Sequence, residues 1–100
     1  MVKGQYVKYL VCYDIPSDKK RKKFADALKD LGLTLIQKSV FYGDLKPAES
    51  RALARTALQI LDSKQDKCFW FPCRLNELVM RSCIGYEDFS DMDPDGHGFI

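Results

Sequence analysis

Residues 6–13 are almost all apolar, with many aromatic and branched side chains, and this pattern predicts the first strand. One face of that strand carries Val7, Tyr9, Val11 and Tyr13, and the opposite face carries Leu10 and Cys12. Both faces are therefore apolar near the strand's end, so both are expected to be covered. Asp14-Ile15-Pro16 ends the strand, because proline cannot donate to a sheet ladder.

Two helices are predicted from apolar residues that recur with a helical period. The first runs from about Asp18 to Leu31, with Ser17 or Asp18 as its cap and Gly32 as its stop. The second begins at Pro47, which suits a first helical turn, and ends near residues 62–63. The first helix has one apolar face, formed by Phe24, Leu28 and Leu31. The second fits the same template with Ser50, Leu53, Ala54, Ala57, Leu58 and Leu61.

The remaining segments predict further strands. Residues 33–45 are typical of two strands with a break, either at residues 37–39 or at residues 43–44. Residues 68–71 form a short apolar strand that Pro72 ends, and residues 78–84 predict a fifth strand. The order is β-α-β-β-α-β plus an extra strand. It indicates an α+β, ferredoxin-like domain with an antiparallel four-stranded sheet and a C-terminal fifth strand.

This order also predicts the domain limits and the assembly. Residues 1–85 are expected to form one ferredoxin-like domain, and residues 86–100 to form a flexible acidic tail. Two helices can cover only one face of such a sheet, and the other face is too apolar to meet water. We therefore expect a homodimer.

Charge is distributed unevenly between the body of the chain and its end. Residues 1–81 hold all 16 Lys and Arg with 9 acidic residues, a net charge of 16 − 9 = +7. Residues 82–100 hold 5 acidic residues and no basic ones, so the whole chain carries +2. A basic body favours a polyanionic partner such as DNA or RNA, with the tail kept away from the binding surface.

Several classes of protein are disfavoured by the composition. The sequence has no apolar run of the roughly 18 residues that a membrane helix needs, so no membrane contact is expected. Residues 1–5 do not resemble a secretion signal, and a cytoplasmic location is expected. The four cysteines lack the paired spacing of a zinc site and are interpreted as reduced, buried residues: Cys12, Cys68, Cys73 and Cys83.

Asp14, which follows Tyr13 at the end of the first strand, is the first candidate for chemistry. A carboxylate between a strand's end and a helix N-terminus is well placed to bind a metal ion. Oxygen ligands suit Mg²⁺, which keeps several waters and takes one or two protein carboxylates. The alternative is that Asp14 only caps a turn.

Basic residues occupy the start of the first helix, from Lys19 to Lys23. At roughly 100° per residue, Lys20 and Arg21 flank the apolar face, whereas Lys19 and Lys22 point to solvent. Lys20 and Arg21 are therefore the residues expected to reach a phosphate near Asp14. Cations are disfavoured at a helix N-terminus, and this favours a functional reason for the run.

Polar residues interrupt an apolar segment at Gln37-Lys38-Ser39, just before Val40-Phe41-Tyr42. Lys38 and Ser39 can contact phosphate, and Phe41 or Tyr42 can stack on a base. A bulged strand with core aromatics explains the same pattern.

The C-terminal segment holds two features that do not predict a site. Residues 91–96 begin like a calcium-binding loop, but the glutamate required at position 12 would fall beyond Ile100. His97, the one histidine, lies in the same segment, and no nucleophilic triad can be built on it.

Two ordered segments resemble the signatures of the CRISPR-associated protein two family. Residues 13–23 resemble its D-I-x-x-D-[KR]-R-R-x-K opening, and residues 32–43 resemble its G-L-x-x-x-Q-x-S-V-F-x-G signature. The resemblance covers about residues 6–84. Lys20 and Lys22 stand where the family usually has arginines, so both positions lose a forked phosphate donor. The acidic tail extends beyond the family's common core.

The resemblance implies a role in CRISPR spacer acquisition. It implies a homodimer that binds DNA or RNA and bridges dimers of a CRISPR integrase subunit. It further implies cleavage of RNA or DNA that depends on Mg²⁺ or Mn²⁺. By position, Asp14 would be the catalytic metal ligand with Tyr13 beside it, and Arg21, Ser39 and Phe41 would support them.

Two other functions share this fold. One is a toxin-type endoribonuclease similar to the virulence-associated D family, and the other is a non-catalytic nucleic-acid-binding scaffold. A binding module of the RNA-recognition-motif kind is disfavoured, because no strand carries that module's aromatic signature.

Overall fold

The computed structural model describes residues 5–86, which form one sheet with the two long helices on one side. The four strands lie antiparallel in the order β2-β3-β1-β4. This is the ferredoxin-like arrangement, so the predicted fold class is confirmed. In chain order the elements are β1 (Val7–Asp14), α1 (Asp18–Asp30), β2 (Thr34–Gln37), β3 (Val40–Leu45), α2 (Pro47–Ile60), β4 (Lys67–Pro72) and α3 (Glu77–Met80).

Helix α1 begins and ends at the residues that its capping signals indicate. The Ser17 side chain accepts a hydrogen bond from the Lys20 backbone N–H at 3.2 Å, which satisfies one free donor of the first turn. Gly32 follows the helix with φ +94°, a conformation that glycine adopts without strain. The helix therefore starts three residues after β1, and its first turn lies at that end of the sheet.

The main core lies between the sheet and helices α1 and α2. Phe24 and Leu28 of α1 are buried against the odd-numbered side chains of β1. The Tyr13 ring meets Phe24 edge-on with centroids 5.3 Å apart, and it stacks on Phe41 at 6.2 Å. Helix α2 adds Leu53 and Ala57, but Leu58 is 83% exposed, so its predicted place on the buried face is wrong.

Strands β2 and β3 are separated at Lys38-Ser39, the first of the two predicted breaks. Ser39 has φ +65°, which turns the chain tightly at this point. The pairing of β2 with β3 shifts register between Leu35 and Gln37. The polar interruption in the sequence is therefore a hairpin turn followed by a buried strand.

The predicted fifth strand is wrong, because residues 77–80 form the short helix α3. The Asn76 side chain caps that helix by accepting from the Val79 backbone N–H at 3.0 Å. Just before it, the Leu75 N–H donates to the Tyr42 hydroxyl at 3.0 Å and the Leu75 side chain is buried. These contacts pack residues 75–80 against a face of the sheet, so the segment does not pair with the sheet as a fifth strand.

The face opposite α1 and α2, which we call the second face, is partly covered by this C-terminal segment. A small cluster there contains Tyr42 and Leu75, with Leu10, Ile36, Cys73, Val79, Cys83 and Tyr86 packed against it. The Tyr86 hydroxyl donates to Gln37 Oε1 at 2.7 Å and also reaches the Ile36 carbonyl at 3.4 Å. Tyr86 thus packs on the domain, and residues 87–100 of the predicted tail lie outside the described residues.

No helix within residues 5–86 is long and apolar enough to cross a bilayer.

Candidate functional site

Asp14 is the last residue of β1, and its side chain is exposed. It pairs with Lys67 of β4 across the ladder. Successive strand residues point to opposite faces, so Asp14 shares the second face with Leu10 and Cys12, whereas Tyr13 points toward the helices. The two predicted catalytic neighbours therefore lie on opposite sides of the sheet.

Tyr13 is buried in the main core and is fixed by its backbone and its ring. Its N–H donates to the Ser39 carbonyl at 3.1 Å, and its ring contacts Phe24 and Phe41. Burial raises the pKa of the Tyr13 phenol above its ordinary value of 10.0, although the nearby Arg21 guanidinium offsets part of that rise. The phenol is thus protonated at neutral pH and cannot serve as a general base there.

Four of the predicted site residues line one groove beside α1, which we call the Arg21 groove. Its volume is about 250 Å³. Its lining consists of Tyr13, Asp18, Arg21, Lys22, Ala25, Leu35, Lys38 and Ser39. Arg21 Nη1 donates to the Ile15 carbonyl at 2.8 Å, and Nη2 forms an ion pair with Asp18. These two bonds hold the guanidinium at the groove. Lys38 adds positive charge to it, whereas Lys22 forms an ion pair with Asp26 at 2.9 Å.

Lys20 lies on the other side of α1, where it forms an ion pair with Asp66. Its Nζ donates to Asp66 Oδ2 at 2.8 Å, and the Asp66 side chain is 1% exposed. The same carboxylate oxygen accepts from the Asp62 backbone N–H at 2.8 Å. Lys20 and Arg21 therefore lie on different sides of α1. The sequence predicts that both reach one phosphate near Asp14, but the structure does not bring the two side chains together.

Phe41 and Tyr42 are both fully buried, so the prediction that one of them stacks on a base is wrong. Phe41 belongs to the main core, and Tyr42 anchors the C-terminal segment through its hydroxyl. The two side chains lie on opposite faces of the sheet, and both are covered because β3 is an inner strand between β1 and β2.

A single chain supplies one carboxylate to the predicted metal site. Within residues 5–86, no three His, Cys, Asp or Glu side chains are grouped so as to hold a metal ion. An exposed Asp14 matches a Mg²⁺ site only where waters, a substrate phosphate or a second protein copy complete the ligands.

A family model matches most of the chain. Residues 7–81 match the model for CRISPR associated protein Cas2. The chain belongs to the Cas2 family. The resemblance seen in the two signatures is thus confirmed.

Two curated relatives within the Cas2 family are similar over nearly their whole length. A protein of Korarchaeum cryptofilum named CRISPR-associated endoribonuclease Cas2 is 37% identical, over 93% of this chain and 100% of its own. A Francisella tularensis subsp. novicida protein named CRISPR-associated endoribonuclease Cas2 1 is 36% identical, over 89% and 93%.

Solved structures agree with the fold. Streptococcus pyogenes Cas2 superposes with a TM-score of 0.62 at 26% identity, covering 79% of this chain and 98% of that one. A hypothetical protein from Thermus thermophilus gives a TM-score of 0.60 at 37% identity, covering 69% and 83%.

Two features of this Cas2-family chain were missed by sequence reasoning. Phe69 and Phe71 on β4 are 55% and 43% exposed, and their rings stack with centroids 5.8 Å apart. Their alternation with Cys68 and Trp70, which pack on the main core, was a signal for their exposure. Asp66 gave no such signal, because its partner Lys20 lies 46 residues away in the chain.

Proposed function

We propose that this chain is a CRISPR adaptation subunit that binds nucleic acid as a homodimer and bridges integrase dimers. We further propose that Asp14 binds Mg²⁺ or Mn²⁺ for hydrolysis of RNA or DNA. One observation carries the proposal: an exposed carboxylate ends β1 at the same end of the sheet as the basic Arg21 groove. Family membership supports it, and the named relatives are endoribonucleases.

A second copy of the chain would complete the metal site. Phe69 and Phe71 leave apolar surface on the second face, the face that also carries Asp14. Burial of that surface in a dimer is favourable, by roughly 25 cal/mol per Å² of apolar area. Two copies packed through this face would bring their Asp14 carboxylates together, so the pair offers two ligands instead of one.

The residues around the site suit phosphodiester chemistry. A bound divalent ion would lower the pKa of its water and so provide a nucleophile at neutral pH. Asp14 would hold that ion, while Arg21 and Lys38 bind backbone phosphates on the flank of α1. Arg21 donates hydrogen bonds to the Ile15 carbonyl and to Asp18. Its remaining N–H groups would be the ones that contact phosphate.

Asp14→Asn tests the metal site. In wild type we expect dimers near 23 kDa, about twice 11.5 kDa, by light scattering. We also expect a rise in Tm on adding Mg²⁺ and metal-dependent cleavage. The variant should lose both metal effects, and its metal-free dimer should be at least as stable as wild type, because two like charges no longer repel. Asp30→Asn is the matched control, since Asp30 is an exposed carboxylate at the far end of α1.

The outcomes separate a metal site from a turn residue. If Asp14→Asn unfolds the chain and wild type shows no response to Mg²⁺, Asp14 is structural and the catalytic proposal fails. A monomer at all concentrations would remove the paired site.

A non-catalytic scaffold is the second candidate function. It is favoured by the lack of a three-ligand metal cluster within residues 5–86. Nucleic-acid binding and integrase bridging that are unchanged in Asp14→Asn, with no cleavage by wild type, would establish it.

A further inference from the structure

We propose that a second groove, on the α2 side of α1, binds a backbone phosphate of the nucleic acid. The inference rests on the nucleic-acid binding proposed above and adds a contact surface to it. This groove, which we call the lysine groove, has a volume of about 290 Å³. Its lining consists of Ser17, Lys19, Lys20, Lys23, Gln59 and Ile60.

The lysine groove holds more positive charge than its surroundings neutralise. Of its three lysines, only Lys20 forms an ion pair among the described residues, and Asp66 cancels that one charge. Lys19 and Lys23 form no ion pair within residues 5–86, so two charges of the groove are not neutralised there. Lys19 also lies in the first turn of α1, where the helix dipole disfavours a cation. A bound anion relieves both sources of repulsion.

Lys20 is held in place by a buried acid. The Asp66 carboxylate bonds Lys20 and the Asp62 N–H through Oδ2, whereas its Oδ1 is buried with no partner within the described chain. An ammonium has three donors, so Lys20 keeps two N–H groups after bonding Asp66. A fixed ammonium loses less side-chain entropy on binding phosphate than a free lysine does. The buried pair therefore prepares Lys20 to act as a phosphate ligand.

The two grooves lie on opposite sides of α1. Arg21 and Lys22 line one, and Lys19, Lys20 and Lys23 line the other. A helix with side chains is about 10–12 Å across, so one phosphate cannot contact both grooves. The basic residues from Lys19 to Lys23 are thus divided between two grooves, and each groove would bind its own phosphate.

Salt dependence of duplex DNA binding tests this division. We expect the double variant Lys19→Ala and Lys23→Ala to lower the log–log salt slope by about 0.9, since the groove binds one phosphate and each neutralised phosphate contributes about 0.9. The control Lys29→Ala and Arg51→Ala removes the same charge from exposed positions that line neither groove. The control should keep nearly the wild-type slope. Thermal melts of both double variants verify that the fold is retained.

Three results would overturn the proposal. Equal slope losses in the two double variants would mean that the lysines act only as a diffuse field. An unchanged slope in the lysine variant would mean that the groove is not used. If inorganic phosphate or ATP binds wild type but not the lysine variant, while DNA binding is unaltered, the groove takes a free phosphate instead.

The test also distinguishes this inference from the proposed function. If the wild-type chain binds no nucleic acid, the proposed function and the lysine-groove proposal both fail. A wild-type chain that binds and cleaves, with the lysine variant unchanged in slope, defeats the lysine groove alone.

Discussion

The Asp66 carboxylate connects the start of α1 to the loop that follows α2. It accepts from the Asp62 backbone N–H and from Lys20 Nζ, both at 2.8 Å. These hydrogen bonds, with the Asp62 N–H the larger cause, lower the pKa of Asp66 below its ordinary value of 3.8. Asp66 therefore contributes stability at pH values above 3.8, and the contribution is lost as pH falls through its lower folded-state pKa.

Asp66→Asn should consequently reduce the free energy of unfolding at pH 7, because the amide cannot pair with the Lys20 charge. The difference from wild type should shrink as pH drops below 3.8 and the wild-type carboxyl is protonated. Urea unfolding measured between pH 2 and pH 7 gives both values. A stability difference that stays constant over this range would show that the ion pair contributes nothing.

Arg21 and Lys20 illustrate how far a helical wheel can predict a site. Their angles around α1 placed them correctly on either side of the apolar face. The wheel could not identify the carboxylate that each one meets, since Asp18 is three residues from Arg21 and Asp66 is 46 residues from Lys20. Only the local partner was accessible to sequence reasoning.

Helix α1 sets the positions of both grooves, and its start depends on one side chain. Ser17 Oγ accepts from the Lys20 N–H at 3.2 Å, and Ser17 also lines the lysine groove. Cap and groove are therefore parts of the same turn.

Ser17→Ala is expected to lower the free energy of unfolding by about 1 kcal/mol, the usual effect of losing such a cap. Ser17→Thr should restore most of the loss, because threonine can accept the same bond. Chemical denaturation of the three proteins provides the measurement. An alanine variant as stable as wild type would show that the Lys20 N–H finds another acceptor.

The elements were predictable from sequence where local signals decide them. Strand β1 and helices α1 and α2 lie within two or three residues of their predicted limits, since proline, serine and glycine mark their ends. The segment after β4 was not predictable, because Leu-Val-Met at 78–80 is compatible with either strand or helix. Its conformation depends on Leu75 bonding to Tyr42, which lies 33 residues away.

At the scale of the whole molecule, positive and negative charge are divided unevenly between residues 1–86 and residues 87–100. Residues 1–86 hold 16 basic and 9 acidic residues, a net charge of +7, and residues 87–100 hold 5 acidic residues. The tail therefore lowers the positive potential that attracts a nucleic acid.

Deleting residues 87–100 should tighten nucleic-acid binding at low salt, because the net charge rises from +2 to +7. The gain should fade toward 1 M salt, where the screening length shrinks to about 3 Å. Fluorescence anisotropy over a salt series measures this change. A full-length control with the five acids changed to their amides should bind like the deletion. If that control binds like wild type, the tail acts through its bulk and not through its charge.

The two edges of the sheet differ, and this limits how copies of the chain can join. Strand β2 is short and bulged, and Tyr86 bonds to its Ile36 carbonyl and Gln37 side chain. Strand β4 is six residues long, is regular until Pro72 and carries two exposed phenylalanines. Open edges invite pairing with other chains. If a second copy pairs along β4, the enlarged sheet ends in a β2 strand on both sides, and each of these edges is short, bulged and contacted by Tyr86. Such short, bulged edges would disfavour further growth of that sheet into fibres.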